Sequence, residues 1–264
     1  MKIVHISDIH IHPEPILGHD PVENFRACLA HVDRFQADAD LVIITGDLTD
    51  DGRPESYAQL KAMLAQSRLA QQGRLRLMIG NHDRRDTFRA AFPDAAADPA
   101  GFVQWHEETP QGHFIYMDTV QQGAHWGRYC EDRRAWLEER LDAARGAGAF
   151  LFLHHNPAPV HVANADVIGI REGDGLKTLL ARHRATVRHL FFGHCHFTLS
   201  GTVAGIPFSA PRSTNHTCWP DFSGDPNRMG HGDLQPSYNV VFIHGDDVVV
   251  HTIDFLEEEK VKWV

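Results

Sequence analysis

The chain alternates short apolar runs with longer amphipathic stretches. Apolar runs of strand length predict strands at residues 2–7, 41–45, 75–79, 114–118, 150–153 and 190–192. Amphipathic spacing, with proline at the first position of two stretches, predicts helices at residues 21–35, 54–72, 132–145 and 175–183. Strands and helices therefore alternate, and this order predicts a mostly parallel, buried sheet covered by helices.

The last quarter of the chain has a different pattern. Two pairs of strand-like runs flank glycine-containing turns, 198–204 with 206–210 and 238–243 with 248–253, which predicts two antiparallel hairpins. We expect these hairpins to form a second sheet, so that the fold class is α/β and the architecture a sandwich. Between the hairpins, residues 211–237 are rich in Pro, Gly, Asn and Asp and have no periodicity. A loop of that length is commonly functional or disordered.

Composition restricts the class of protein. The 264 residues, 42% of them hydrophobic, suffice for one large core, and we expect a single domain over residues 1–264. A net charge of −10 without any Lys/Arg cluster argues against a nucleic-acid polymer as partner. The four cysteines form no CxxC pair, and neither a leader-like segment nor a membrane-spanning apolar run is evident. We therefore expect a cytoplasmic protein with reduced thiols and no membrane partner.

Polar side chains follow five of the predicted strands. In chain order they are Asp8 and His10; Asp47; Asn81, His82 and Asp83; His154 and His155; and His194 and His196. The carboxyl ends of parallel strands converge on one crevice, so these segments are expected to share one site. Oxygen and imidazole ligands suit divalent Zn, Mn, Fe or Co. Cys195, which alternates with the histidines around it, is expected to point away from the ligands.

Taken in order, these segments resemble the signature of the calcineurin-like metallophosphoesterase superfamily. The signature D-x-H, G-D, G-N-H-D, a strand-ending H and G-H-x-H stands here as Asp8-Ile9-His10, Gly46-Asp47, Gly80-Asn81-His82-Asp83, His154 and Gly193-His194-Cys195-His196. Residues 46–52 and Ser213-Thr214-Asn215-His216 look like the branch of class III cyclic nucleotide phosphodiesterases and glycerophosphodiesterases. The resemblance extends to about residue 243 and implies a four-layer αββα sandwich with mixed sheets.

The resemblance also implies a centre for two divalent metal ions. It assigns Asp8, His10 and His196 to one metal and Asn81, His154 and His194 to the other, with Asp47 bridging both. An anionic bridge lowers the repulsion between the cations, and a hydroxide shared by two metals can attack phosphorus near neutral pH. His82 is expected to donate to the phosphoryl or leaving-group oxygen. Asp83 is expected to orient His82, as carboxylates commonly orient imidazoles at metal sites.

Several histidines have alternative interpretations. His155 can exchange roles with His154, but His154 directly follows the apolar run 150–153 and is favoured as the ligand. We expect His155 and His216 to contact substrate, and the loop that carries His12 and His19 to border the pocket. Nine further histidines are expected to be structural or at the surface; they are His5, His31, His106, His113, His125, His183, His189, His244 and His251. Any single Asp or Asn after a strand is more often a turn former or helix cap. The prediction of a metal site therefore rests on the five segments occurring together and in this order.

The segment after Asp47 indicates the substrate class. The resemblance to protein Ser/Thr phosphatases would require an arginine where Asp51 stands, and the resemblance to purple acid phosphatases would require a tyrosine within residues 48–53, where none occurs. A phosphomonoester dianion gains more from an extra cation than a diester does, so small phosphodiesters such as cyclic nucleotides or glycerophosphodiesters are expected. The alternatives are a phosphomonoesterase, a hydrolase of nucleoside diphosphate derivatives, and a scaffold that has lost its metal ligands.

Two further expectations concern surfaces. Residues 211–237 follow the last predicted ligands closely, so we expect this loop to help close the mouth of the active site. The loop carries His216, Trp219 and Phe222, which are large residues for a merely solvated segment. The resemblance is also compatible with a homo-oligomer.

Overall fold

A computed structural model describes residues 1–264. Its strands are β1 (Lys2–Ile6), β2 (Leu41–Ile44), β3 (Leu75–Leu77), β4 (Trp105–Thr109), β5 (Gly112–Tyr116), β6 (Gly127–Arg128), β7 (Ala149–Phe152), β8 (Ile170–Arg171), β9 (Val187–Phe191), β10 (Leu199–Val203), β11 (Ile206–Ala210), β12 (Cys218–Trp219), β13 (Gly230–His231), β14 (Tyr238–His244) and β15 (Asp247–Ile253). Its helices are α1 (Pro21–Phe35), α2 (Pro54–Leu64), α3 (Arg68–Gln71), α4 (Arg85–Ala91), α5 (Glu131–Ala143), α6 (Ala163–Ile168) and α7 (Asp174–Arg182), followed by a 3-10 turn (Glu258–Lys260).

Two mixed sheets make up the centre of the fold. The five-stranded sheet has the order β15-β14-β1-β2-β3, in which β1, β2 and β3 are parallel and β14 and β15 are antiparallel. The six-stranded sheet has the order β10-β11-β9-β7-β5-β4, with parallel pairing from β11 to β5 and an antiparallel strand at each edge. Two further pairs, β6 with β8 and β12 with β13, lie outside these sheets.

Both faces of the central strands are buried, which explains their near-continuous apolar sequence. In β2, Ile43 belongs to the cluster between the two sheets, whereas Val42 and Ile44 pack into the cluster that contains residues of α1 and α2. In β7, Phe150 and Phe152 likewise face the space between the sheets, while the alternate residues belong to the cluster that contains α5 and α7. The layers are therefore helix, sheet, sheet, helix, and the expected four-layer αββα sandwich with mixed sheets is confirmed.

The two predicted hairpins form, but the prediction that they make up a second sheet is wrong. The hairpin β10–β11 extends the six-stranded sheet by pairing with β9, and the hairpin β14–β15 extends the five-stranded sheet by pairing with β1. The alternating pattern predicts each hairpin, but it does not show which other strand the hairpin pairs with, because that strand is distant in the chain. No helix of the structure has the length and apolar character needed to cross a membrane.

Other boundaries also differ from the predicted ones. The expected helix over residues 54–72 is two helices, α2 and α3, separated at Ser67. There the carboxylate of Asp33 accepts from the Ser67 hydroxyl at 3.3 Å and from the Arg68 backbone at 3.1 Å, which starts a new helix. The short elements α4, β4 and α6 and the strand pair β12–β13 were not predicted, because segments of two to seven residues show little periodicity.

Candidate metal centre

The polar segments after β1, β2, β3, β7 and β9 come together where the two sheets end. Five of their residues adopt the left-handed backbone conformation, with φ of 56° at Asp8, 47° at His10, 46° at Asp47, 67° at His194 and 55° at His196. This conformation costs a non-glycine residue about 1–3 kcal/mol, and such strain concentrates at functional sites. The chain therefore turns sharply as soon as each strand ends.

Two glycines of the motifs allow these segments to approach one another. A Cβ at Gly80 would lie 2.2 Å from Asp47 Oδ1, and a Cβ at Gly193 would lie 1.7 Å from Ser7 Oγ. Neither position tolerates a side chain, because the facing atoms belong to buried residues. The glycines thus place the ligand-bearing turns in direct contact.

The first group of candidate ligands is Asp8, His10, Asp47 and His196. All four are buried, and their ligand atoms lie within 4.8 Å of one another. His10 Nε2 is 3.1 Å from His196 Nε2 and 3.6 Å from Asp47 Oδ2, and His196 Nε2 is 3.4 Å from Asp8 Oδ1. Imidazole nitrogens that converge this closely with carboxylate oxygens are arranged as ligands of one cation.

The second group is built around His154. Its Nε2 is 3.0 Å from Asn81 Oδ1 and 3.3 Å from Asp47 Oδ2, and its ring centroid is 5.0 Å from that of His194. Asp47 Oδ2 therefore faces both His154 and the first group. Cys195 belongs to neither group and packs into the apolar cluster of the six-stranded sheet.

Each candidate imidazole ligand has its other ring nitrogen fixed by an oxygen acceptor. The pairs are His10 Nδ1 with Asp50 Oδ1 at 3.0 Å, His154 Nδ1 with the Thr45 carbonyl at 2.9 Å, His194 Nε2 with the Ile168 carbonyl at 3.0 Å and His196 Nδ1 with the His216 carbonyl at 2.8 Å. A nitrogen that donates to such an acceptor carries the proton, so the opposite nitrogen presents its lone pair. The donor set therefore fits divalent metals.

The charges of the centre support the same interpretation. Burial alone would raise the pKa of Asp47, but the adjacent His154 and His82 hold it well below its usual range. Burial alone would lower the pKa of His154, but Asp47 outweighs it and raises that pKa to about 9. A buried carboxylate that stays ionised requires a nearby positive charge, and a bound cation meets that requirement directly.

The structure does not agree with the expected role of Asp83. Its fully buried carboxylate forms no hydrogen bond or ion pair with the His82 ring. Instead it accepts hydrogen bonds from the backbone of Leu48 at 3.0 Å, Thr49 at 3.2 Å and Gly80 at 2.9 Å, and from the Tyr57 hydroxyl at 2.7 Å. Asp83 therefore ties the turn after β2 to the turn after β3, and it acts on the architecture of the site.

The residue that orients His82 is Asp50, which was not among the predicted site residues. His82 Nδ1 lies 2.8 Å from the Asp50 carbonyl and 3.5 Å from its carboxylate, whose Oδ1 also bonds His10. The His82 backbone donates to Asp47 Oδ1 at 2.8 Å, and the ring lines the central cavity. In the sequence, the feature that could have indicated this role is the position of Asp50 in the acidic segment that follows Asp47.

His155 does not line the cavity, contrary to its expected contact with substrate. The ring is fully buried, its Nδ1 is 2.8 Å from the Thr119 hydroxyl, and its centroid is 4.6 Å from that of His194. Of the two adjacent histidines, His154 is the one that faces Asn81 and Asp47.

Four other histidines differ in their position relative to the centre. His216 lines the cavity, with its ring 4.8 Å from that of His10 and 4.5 Å from that of His196. His125, expected to be structural or at the surface, also lines the cavity, and its Nδ1 is 3.3 Å from Asn81 Nδ2. Neither His12 nor His19 is among the lining residues; His19 Nε2 instead lies 3.2 Å from the Gly232 carbonyl in the 211–237 loop.

The candidate ligands open into a cavity of about 280 Å³. Its wall combines the polar centre with apolar side chains from α6 and from the 211–237 loop. The loop contributes His216, Cys218, Trp219, Arg228 and Met229 to the lining. The loop therefore lies at the mouth of the site, as its position in the sequence predicts.

Comparison with known proteins gives one consistent family. A family model described as calcineurin-like phosphoesterase matches residues 1–197. A probable cyclic nucleotide phosphodiesterase of Rhodopseudomonas palustris is 33% identical over 97% of this chain and 93% of its own length. A glycerophosphodiester phosphodiesterase of Enterobacter lignolyticus is 28% identical over 79% of this chain and 80% of its own. Among solved structures, a dimetal phosphatase from Danio rerio superimposes with a TM-score of 0.66, 13% identity and coverage of 97% and 99% of the two chains, which supports the fold.

Proposed function

Because the chain belongs to the calcineurin-like phosphoesterase family, we propose that it hydrolyses small phosphodiesters with the help of two divalent metal ions. Relatives named as cyclic nucleotide and glycerophosphodiester phosphodiesterases support the diester class. The cavity of about 280 Å³ is at the lower end of volumes that accommodate small molecules, which favours a small substrate over a polymer.

The observation that carries the proposal is the position of Asp47 between two groups of ligands. We assign Asp8, His10 and His196 to one metal, and Asn81, His154 and His194 to the other, with Asp47 shared; their spacing and the fixed outer nitrogens support this assignment. Mn, Fe, Zn or Co ions bound here would supply Lewis acidity and a water of lowered pKa.

The residues around the ligands bind and orient the substrate in this proposal. His82 faces the cavity from a position fixed by Asp50, so its ring is available to the phosphoryl or leaving-group oxygen. His216 lies at the same end of the cavity, beside the rings of His10 and His196.

The distribution of arginines favours diesters over monoesters. Arg228 is the single Lys or Arg in the cavity lining, and its Nε is 3.4 Å from Asp221 Oδ2. Arg85 and Arg212, which could otherwise supply a cation, are paired with Asp118 and Asp254. A dianionic monoester would therefore find no unpaired guanidinium in the cavity lining, whereas a singly charged diester has less need of one.

A turnover panel tests the proposal. Protein loaded separately with Mn, Fe, Zn and Co is assayed with bis-p-nitrophenyl phosphate, p-nitrophenyl phosphate, cyclic AMP and glycerophosphoethanolamine, and chelator-treated protein is the control. We expect hydrolysis to require metal, and kcat/KM to be higher for the diesters. A higher kcat/KM for p-nitrophenyl phosphate than for its bis ester with several metals would contradict the proposal.

A further inference from the structure

Part of the cavity wall has no role in holding metals. Apolar side chains form this wall; they are Ile16, Val162, Ala165, Ile168, Phe197, Trp219 and Met229. Hydrolysis of a phosphodiester needs only the polar centre, so an apolar wall of this extent points to a second recognition element for one of the two groups esterified to phosphorus.

Most of the wall is built by two segments that contact each other, and Ile16 and Phe197 complete it from outside them. One is α6 with the residue before it, and the other is the strand pair β12–β13. The amide of Asn164 on α6 donates to the Pro226 carbonyl, between β12 and β13, at 2.9 Å. The Ile168 carbonyl at the end of α6 bonds His194, so the wall is connected directly to the metal centre.

The fold itself does not bury the outer side chains of the wall. Trp219 is 65% exposed and Met229 is 48% exposed, although both line the cavity. Large apolar side chains left open at a cavity mouth mark binding sites when they have no packing role. A planar indole offers a face for stacking, and methionine adapts its shape to a ring.

Polar groups at the same wall have planar geometry as well. Asn164 and Arg228 both line the cavity, and each has hydrogen-bonding capacity beyond its contact with Pro226 or Asp221. An acyl chain would leave the polar groups of Asn164 and Arg228 without hydrogen-bond partners, and a glycerol head group would leave the Trp219 indole exposed to water. A heteroaromatic ring satisfies both, because it has a π-face and a polar edge.

We propose that the apolar wall binds the heteroaromatic base of a nucleotide phosphodiester, and that Trp219 is its main specificity-determining residue. The inference rests on the proposed function and narrows its substrate class: diesters that carry a base are preferred over glycerophosphodiesters. The base lies against Trp219 and Met229, while the phosphodiester faces the metal ligands.

Substitutions within the strand pair and its loop test the inference. For Trp219→Ala, the ratio of kcat/KM for cyclic AMP to that for glycerophosphoethanolamine is expected to fall about tenfold, mainly through KM, as for loss of one base-stacking contact. Trp219→Phe keeps an aromatic face and is expected to retain most of the ratio. The matched control is Phe222→Ala, which removes an aromatic ring that is 74% exposed in the same segment but does not line the cavity.

The outcomes separate this inference from the proposed function. Equal losses on both substrates in Trp219→Ala, or a wild-type preference for glycerophosphoethanolamine or for a long-chain alkyl diester, would overturn the base site and leave the phosphodiesterase activity standing. If no diester is hydrolysed with any metal, the proposed function fails, and equilibrium dialysis of labelled cyclic AMP then decides the base site. Binding by the wild type that weakens in Trp219→Ala supports it, and no difference between them overturns it.

Discussion

At the residue scale, the two oxygens of Asp47 have separate tasks. Oδ1 accepts from the His82 backbone at 2.8 Å, which fixes the orientation of the carboxylate. Oδ2 is then held 3.6 Å from His10 Nε2 and 3.3 Å from His154 Nε2. Such a position can be reached only because the backbone of Asp47 is left-handed and Gly80 has no side chain.

Replacement of Asp47 therefore affects both proposed metal sites. Asp47→Ala is expected to bind fewer than two metals per chain and to lose turnover by at least about 100-fold, the scale of losing a central electrostatic contact. Elemental analysis and diester turnover measure the two effects. Asp86→Ala, on the exposed start of α4, is the control for loss of a nearby carboxylate. Two metals and normal turnover in Asp47→Ala would refute the assignment.

Asn81 and His125 allow a finer test of the second site. The Asn81 amide presents Oδ1 to His154 and donates through Nδ2 to His125, so His125 selects the amide orientation that exposes the oxygen. Because an amide is a neutral, weak ligand, Asn81→Ala should weaken one metal site and recover part of its activity with excess metal.

His125→Ala should weaken the same site in the same direction, by roughly 10–100-fold in metal affinity. Calorimetric metal titration measures both variants, and His106→Ala on β4 serves as a control. Unchanged affinity in His125→Ala would mean that Asn81 holds its orientation without this contact.

At the element scale, the sequence predicted those parts of the fold whose signal is local. Strands buried on both faces are continuous apolar runs, and the proposed metal ligands directly follow them, so both could be located. The contacts of Asp83 could not, because its partners Leu48 and Thr49 lie more than 30 residues away. His125 was missed for the same reason, since its bond to Asn81 spans 44 positions.

The prediction at this scale concerns His216, in the segment between β11 and β12. The backbone carbonyl of His216, and not its ring, fixes His196 Nδ1, at 2.8 Å. His216→Ala keeps that carbonyl and removes a ring that lines the cavity. We therefore expect two metals to remain bound while kcat/KM for diesters falls roughly 10–100-fold. Loss of a metal would show that the ring is a ligand, and unchanged kinetics on all substrates would show that it is structural.

At the scale of the whole molecule, the two sheets pack against each other through a buried apolar cluster. The six-stranded sheet contributes aromatic side chains to this cluster, and Phe152 stacks on Phe191 with ring centroids 5.0 Å apart. Two imidazoles border this core. His189 lies 4.4 Å from the Phe191 ring and pairs with Ser209 at 3.0 Å, and the fully buried His5 pairs with Thr45 at 2.9 Å. Both are far better accommodated as neutral rings than as cations.

We expect the buried imidazoles to make the sandwich sensitive to acid. In the unfolded chain an imidazole has a pKa of about 6.5. Burial lowers the pKa of His189 to about 4. Burial also lowers the pKa of His5 to about 3, although the nearby Asp8 acts in the opposite direction. Between pH 6.5 and 4 the unfolded state thus binds more protons, so the free energy of unfolding falls as the pH falls through this window. For His189 alone the loss from pH 7 to 4.5 is on the order of 2 kcal/mol.

A variant without the imidazole isolates this contribution. His189→Gln keeps a polar partner for Ser209 but does not titrate, so its unfolding free energy in urea should fall less than that of the wild type between pH 7 and 4.5. Chelator-treated protein is used throughout, because protonation of the metal ligands would otherwise add its own pH dependence. The exposed His244 provides the control His244→Gln, which is expected to follow the wild type. An identical pH dependence in His189→Gln and wild type would show that His189 is not protonated on unfolding, and that acid acts on the sandwich through other groups.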